Sequence, residues 1–229
     1  MNHVTVVIPT RNRWRKLANT LDTIPVRSCI SVLVVCDGDP ETHKRIRELG
    51  ASQIQSLLVN RHMGSVYCRN LVIPDCPDGV LYAVDDIEFQ PGAIRAALAA
   101  FNERFPDDDG VVGFHQIQCG DNYHPSGVAL LGKRFVDRYP NRQPFCPEYF
   151  HFAAQEIQWL AEPLGKFYLC KDAALLHNHP CFSGREGRDA DKCVKDATHN
   201  EARARCDQDK ALREQRQRDG LVWGAQRNE

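Results

Sequence analysis

VLYAVDDIEFQPGAIRAALAAF, residues 80–101, is the stretch on which the fold turns. Residues 80–84 are apolar, with the β-branched and aromatic side chains that suit a buried strand. The run stops on two adjacent carboxylates, Asp85 and Asp86. Pro91 then opens a helix over GAIRAALAAF, at the first turn, where its missing N–H does no harm. Two neighbouring carboxylates at the end of a buried strand repel each other, so this unit needs a cation or solvent to offset them.

The same alternation runs back to the N-terminus. Residues 4–8 (VTVVI) form a short β-branched strand closed by Pro9, and residues 14–24 place Trp14, Leu17, Leu21 and Ile24 at helical spacing. Residues 30–35 (ISVLVV) are almost continuously apolar, as in a parallel sheet covered on both faces. Asp37-Gly38-Asp39-Pro40 is a turn and helix start, and the helix ETHKRIRELG ends on a capping glycine, Gly50. Residues 56–59 make a third strand, and residues 64–73 a helix that stops before Pro74. Alternating β and α elements indicate an α/β fold with a doubly wound, mostly parallel central sheet and helices on both faces. Ligands of such sheets bind beyond the carboxyl ends of the strands. That singles out Pro9-Thr10-Arg11, Cys36-Asp37-Gly38, Asn60-Arg61 and Asp85-Asp86.

The second half is less regular. Residues 111–114 and 128–131 read as strands, and residues 152–164 as a helix carrying Glu156. FYLC and AALLH read as a strand pair leading to His177-Asn178-His179-Pro180. From about residue 185 charges of both signs dominate, which predicts a surface-draped, partly helical extension over 185–229. The expected organisation is one domain over 1–184, in two halves, 1–100 and 101–184.

The chain has 229 residues, enough for one sizeable core. A net charge of −1 gives no whole-molecule field that selects for nucleic acid or membrane. No run approaches the roughly 20 apolar residues of a membrane span, and the start lacks the pattern of a signal peptide. A cytoplasmic protein is expected. Ten cysteines with no CxxC pair are then expected to be reduced, those in strands acting as small buried apolar groups.

At this point a family resemblance becomes visible. VTVVIPTRNR, SVLVVCDGD, RHMGSVYCRNLVI and VLYAVDDIEFQPGAI occur in the order and spacing of the family 2 glycosyltransferases of the GT-A fold, over roughly residues 3–100. The resemblance implies a GT-A-type sheet and a nucleotide-sugar donor, with UDP the family expectation. It implies donor contacts from Pro9, Thr10, Arg11, Arg13, Asp37, Gly64, Arg69 and Asp85, with Thr10, Arg11 and Asp37 at the nucleoside and Arg69 near the diphosphate. It implies a Mn²⁺ or Mg²⁺ ion on Asp86, the last carboxylate of the family's DxD motif, assisted by Asp85 and His177, with His179 as the alternative to His177. The chain departs from the pattern at Val84, which stands where the first DxD carboxylate is expected.

Residues 148–180 resemble the family's acceptor half, and are closest to small glycosyltransferase-like proteins encoded by tailed bacteriophages. Glu156 is the expected catalytic base of an inverting transfer, taking the acceptor proton as the hydroxyl attacks the anomeric carbon. A phage-type protein would work in the host cytoplasm. Its acceptor would be a hydroxymethylated base in DNA, with Arg11, Arg13, Arg15, Arg61 and the tail residues Arg185, Arg188, Arg203, Arg205, Arg213 and Arg216 on phosphates, and Tyr149, Phe150, Phe152 and Trp159 stacking on an extruded base. The alternatives are a glycan or other small acceptor, a nucleotidyltransferase, or an inactive nucleotide-sugar or DNA-binding module. A structural zinc site drawn from Cys170, His177, His179, Cys181, Cys193, His199 and Cys206 competes with the carboxylate metal site. No membrane contact is expected, and the sequence does not address oligomeric state.

Overall fold

The computed structural model describes residues 1–117, 125–151, 154–180 and 197–225, save the side chains of 199, 201 and 202. In chain order the strands are β1 (Val4–Thr10), β2 (Ile30–Asp37), β3 (Ile54–Val59), β4 (Gly79–Tyr82), β5 (Ile87–Phe89), β6 (Val111–Gln116), β7 (Ala129–Leu131) and β8 (Phe167–His177). The helices are α1 (Trp14–Asp22), α2 (Pro40–Glu48), α3 (Ser65–Val72), α4 (Ala93–Arg104), α5 (Lys133–Val136), α6 (Ala154–Ala161) and α7 (Ala197–Arg218).

The eight strands form one sheet in the order β3-β2-β1-β4-β7-β6-β8-β5. The expected parallel region is β3-β2-β1-β4, where Val6 faces Val32 on one side and Leu81 on the other. Beyond β4 the sheet is mixed: β7 is antiparallel to both β4 and β6, β6 and β8 are parallel, and β5 is antiparallel to β8. Alternate side chains of β1 enter different layers, as strand geometry requires. Val4, Val6 and Ile8 pack with Leu17 and Leu21 of α1, Ile46 of α2 and Ile94 and Phe101 of α4. Val7 packs on the other face with Val66 of α3, Phe135 of α5 and Ile157 of α6. Both faces are therefore covered by helices.

Three sequence expectations change. Residues 80–84 are not all strand: β4 ends at Tyr82, and the chain turns before β5. FYLC and AALLH are one strand, β8, interrupted where Phe114 pairs with Cys170 but His115 pairs with Ala174. The residues between form a bulge that lets the strand's end continue beside β5, with Ile87 opposite His177. The extension is not simply draped: Asp209 and Arg216 of α7 are buried, and Leu212 and Trp223 pack against the core.

The described cysteines are all free, and Cys36, Cys68, Cys76, Cys146 and Cys170 are buried. Cys119, Cys181 and Cys193, with Phe152, Arg185 and Arg188, lie outside the described residues. Among the described residues no helix is long and apolar enough to cross a membrane.

Candidate functional site

The site is built where β1 and β4 end side by side. β1 carries the chain to Thr10, and the turn into α1 places Arg13 at the helix N-cap. β4 delivers Asp85 and Asp86 three and four residues past its last strand residue. The end of β8, held against β5, brings in His177 and Asn178. Residues 72 to 91 positions apart in sequence are thus in direct contact here.

Asp85 Oδ2 accepts a hydrogen bond from the Thr10 hydroxyl at 2.7 Å, and its Oδ1 accepts from an Arg13 amino group at 2.6 Å. The other Arg13 amino group donates to Asp86 Oδ2 at 2.8 Å. Asp86 Oδ1 lies 3.1 Å from His177 Nε2, and the Asp86 carbonyl accepts from the Asn178 backbone N–H at 2.6 Å. Burial raises Asp85 to about 6 against the opposing pull of Arg13, with Asp86 pushing the same way as burial. Burial acts on Asp86 too, but His177 and Arg13 together hold it well below the usual carboxylate range. Like charges in one buried site separate in this way because ionising one disfavours ionising the other.

Asp37 has a different task. Its carboxylate accepts from the Met63 N–H at 2.7 Å and the Gly64 N–H at 2.9 Å, and lies 2.6 Å from His62 Nδ1. It holds the turn between β3 and α3. Gly64 has φ +90°, and a Cβ there would stand 2.6 Å from the Phe150 carbonyl oxygen. Gly64 is thus required by close backbone approach. Asp39 caps α2 through the Thr42 N–H at 3.0 Å and ties down the Asn12 N–H at 2.6 Å, fixing the turn that carries Arg11 and Arg13. Arg11 reaches back to the Asp37 carbonyl at 3.5 Å, and Pro9 is buried inside β1 opposite Val35.

Arg69 lies beneath the site, buried, with one amino group donating to the Ala83 carbonyl at 3.0 Å. Its guanidinium lies 5.1 Å from the Phe145 ring centroid and 5.8 Å from that of Tyr82. Its Nε is buried without a hydrogen-bond partner, and burial lowers its pKa to about 10. A buried cation so sparsely hydrogen-bonded leaves electrostatic capacity for an anion above it.

Glu156, the expected base, lies in a buried hydrogen-bonded cluster. Its carboxylate accepts from Tyr149 Oη at 2.6 Å, Arg216 Nε at 2.7 Å, Arg216 Nη2 at 3.0 Å and the Trp223 N–H at 2.6 Å. The residue is 1% exposed. In this arrangement the carboxylate is enclosed by four donors and ties the C-terminal segment to the core. Two of the expected stacking aromatics are likewise committed, while Trp159 is half-buried on α6. Tyr149 is buried, and Phe150 packs edge-on against His62 and His151 with Arg205 over its ring.

The divalent ion implied by the DxD resemblance would draw on Asp86, Asp85 and His177. These three do converge, but all four carboxylate oxygens already face Thr10, Arg13 or His177. Among the described residues no group of three His, Cys, Asp or Glu side chains has the arrangement of a metal site. With Arg13 in place, the donor set does not fit a divalent ion. His179, 5.5 Å from His177 between ring centroids, joins the same corner. The zinc alternative is not assembled among the described residues, and the rest of its members lie outside them.

Sequence reasoning missed Asn178, Lys16 and His62. Asn178 was legible only as the middle of His177-Asn178-His179; its amide donates to Glu88 at 2.9 Å and so fixes the end of β8. Lys16 adds positive field at Asp85. His62 carried no signal beyond its place after a strand.

No protein-family model matches the sequence, and no curated protein matches it. Solved structures do match in fold. S. aureus TarS 1–349 in complex with UDP aligns over 76% of this chain and 59% of its own, with a TM-score of 0.60 at 15% identity. The same TarS fragment in complex with UDP-GlcNAc aligns over 84% and 62%, with a TM-score of 0.60 at 16% identity. A further structure of the same fragment aligns over 83% and 68%, with a TM-score of 0.61 at 14% identity. The chain thus spans about three-fifths of the ligand-bound fragments it matches. The likeness establishes the GT-A-type α/β fold.

Proposed function

We propose that the chain is a glycosyltransferase that takes a nucleotide-sugar donor, a UDP-sugar first among them, and transfers the sugar to an acceptor hydroxyl with inversion. The observation that carries this reading is the buried pair Asp85–Asp86 at the ends of β1 and β4, bound by Thr10, Arg13 and His177, in a fold shared with structures holding UDP and UDP-GlcNAc. Strand ends are where open α/β sheets receive ligands.

In this reading the nucleoside lies against Thr10, Arg11 and the turn held by Asp37. The diphosphate faces Arg13, with Arg69 beneath it. Transfer forms the bond between the acceptor oxygen and the anomeric carbon, breaks the bond to the diphosphate, and releases nucleoside diphosphate and a proton. The protein stabilises the charge growing on the leaving diphosphate through fixed cations. The acceptor proton is not assigned to Glu156, whose carboxylate is already enclosed.

For the acceptor, the hydroxymethylated DNA base is not favoured by the aromatics, since Tyr149 and Phe150 are packed into the fold. The proposal is therefore a hydroxyl acceptor of open class. The test is a panel of nucleotide-sugars incubated with the chain, with and without glycan and hydroxymethylated DNA acceptors. Release of nucleoside diphosphate supports the reading. Pyrophosphate release indicates a nucleotidyltransferase, and binding without turnover an inactive module.

A further inference from the structure

The carboxylate pair already holds a cation, and it belongs to the chain. Arg13 places one amino group 2.6 Å from Asp85 and the other 2.8 Å from Asp86. Two arms of one planar guanidinium thus bridge two separate carboxylates, the connection that a divalent ion would otherwise make. Thr10 and His177 occupy the remaining carboxylate oxygens. A Mg²⁺ or Mn²⁺ ion needs several oxygen or nitrogen lone pairs aimed at a single point in near-octahedral geometry. Here each of the four carboxylate oxygens is aimed at a hydrogen-bond donor.

The charge around the pair points the same way. Asp85 lies in the field of Arg13, Lys16 and Arg69, so three cations act on it. The Arg13 side chain is 15% exposed, against 5% and 3% for Asp85 and Asp86, so it is the outermost of the three groups. Arginine suits that position: it stays charged at any relevant pH, and its fork matches phosphate as well as carboxylate.

We propose that Arg13 is the resident cation of this site, standing in place of a divalent metal, so that the chain binds a nucleoside-diphosphate donor without one. The absence of a carboxylate at position 84 fits the arrangement. Val84 is half-buried against the core, and the coordination that a first DxD carboxylate would supply is replaced by a guanidinium reaching in from the turn after β1.

The deciding experiment titrates Mn²⁺ alone into the full chain, following the electron paramagnetic resonance signal of the free ion. Wild type is expected to leave that signal as it is in buffer. Arg13→Gln, which removes the cation but keeps most of the side chain, is expected to gain a site and lower the signal. Wild type taking up one Mn²⁺ per chain would overturn the proposal. So would a folded Arg13→Gln that gains no Mn²⁺, because Arg13 would then not be what fills the place. If Arg13→Gln does not fold, the wild-type titration still decides. A second arm, which rests on the glycosyltransferase reading, measures UDP affinity by calorimetry in chelator and in Mn²⁺. Equal affinity within about twofold is expected, and a rise of about tenfold, some 1.4 kcal/mol, with Mn²⁺ refutes the proposal. Failure of UDP to bind under either condition counts against the donor reading alone, and the Mn²⁺ arm is unaffected by it.

Discussion

Arg216→Ala tests whether Glu156 is an anchor or a base. Arg216 is 8% exposed and makes two hydrogen bonds to Glu156, at 2.7 and 3.0 Å, and one to Glu148 at 2.9 Å. Removing it leaves a carboxylate that is 1% exposed with only Tyr149 and the Trp223 N–H as donors. Breaking a buried pair by deleting one partner costs about 3–5 kcal/mol, because the surviving charge is left uncompensated. For a chain of this size each kcal/mol lowers Tm by about 2–4 °C, so Arg216→Ala is expected to lower it by about 6–20 °C. The assay is thermal unfolding by circular dichroism, repeated by urea titration. The double variant Glu156→Leu with Arg216→Met sharpens it: two apolar side chains of similar size remove both charges, and should restore most of the lost stability. An Arg216→Ala protein that melts within a degree or so of wild type would refute the anchoring account and return Glu156 to candidacy as a base. Under the anchoring account Glu156→Gln retains turnover at temperatures where it stays folded.

Gly64→Ala should destabilise the chain by about 1–3 kcal/mol, since φ +90° and the Phe150 carbonyl at 2.6 Å both oppose a Cβ; the check is again Tm, and Gly92→Ala, at φ +84° with nothing within 4 Å of its Cβ, should cost less because it carries the backbone strain alone. Burial would raise Asp109, but hydrogen bonds from Arg138 and Lys166 hold its pKa below the usual value. The pair therefore adds stability above the unfolded carboxylate pKa near 3.9, and that stability is lost as pH falls through the depressed folded value. Asp109→Asn should flatten this acid limb of the stability profile, and an unchanged limb counts against the pairing. Burial raises Cys36 to about 12 and Cys146 to about 11, whereas Cys29 is exposed. Brief alkylation of native protein followed by peptide mass mapping should mark Cys29 and spare Cys36 and Cys146.

How much of this was legible in the sequence follows from contact distance along the chain. The strands β1 to β4 each carry their own apolar run and are followed closely by their covering helix, so local patterning was enough. Asp85-Asp86 was legible because a charged pair after a buried strand is anomalous in any setting. The partners of the pair were harder. Thr10 and Arg13 lie 75 and 72 positions away from Asp85, and only the family resemblance placed that turn near the carboxylates. It did not show that Arg13 would bridge them. The surroundings of Glu156 were not legible because its partners, Arg216 and Trp223, lie 60 and 67 positions downstream in a segment whose charge density reads as solvated. Asp209 is hidden in the same way: among acidic and basic neighbours it looks like surface, yet its carboxylate takes the Phe150 N–H at 2.9 Å and helps seat α7. The short strand β5 has only three residues and pairs with β8 across 90 positions, too little pattern for periodicity to register.

The most direct test of the donor reading is an isothermal titration of the full chain with UDP and then with UDP-GlcNAc. One saturable site per chain is expected, with each ligand excluding the other and Asp86→Asn weakening both by about tenfold or more. A flat titration with these ligands, and with the guanosine, adenosine and cytidine diphosphate sugars, from protein whose unfolding is cooperative would contradict it.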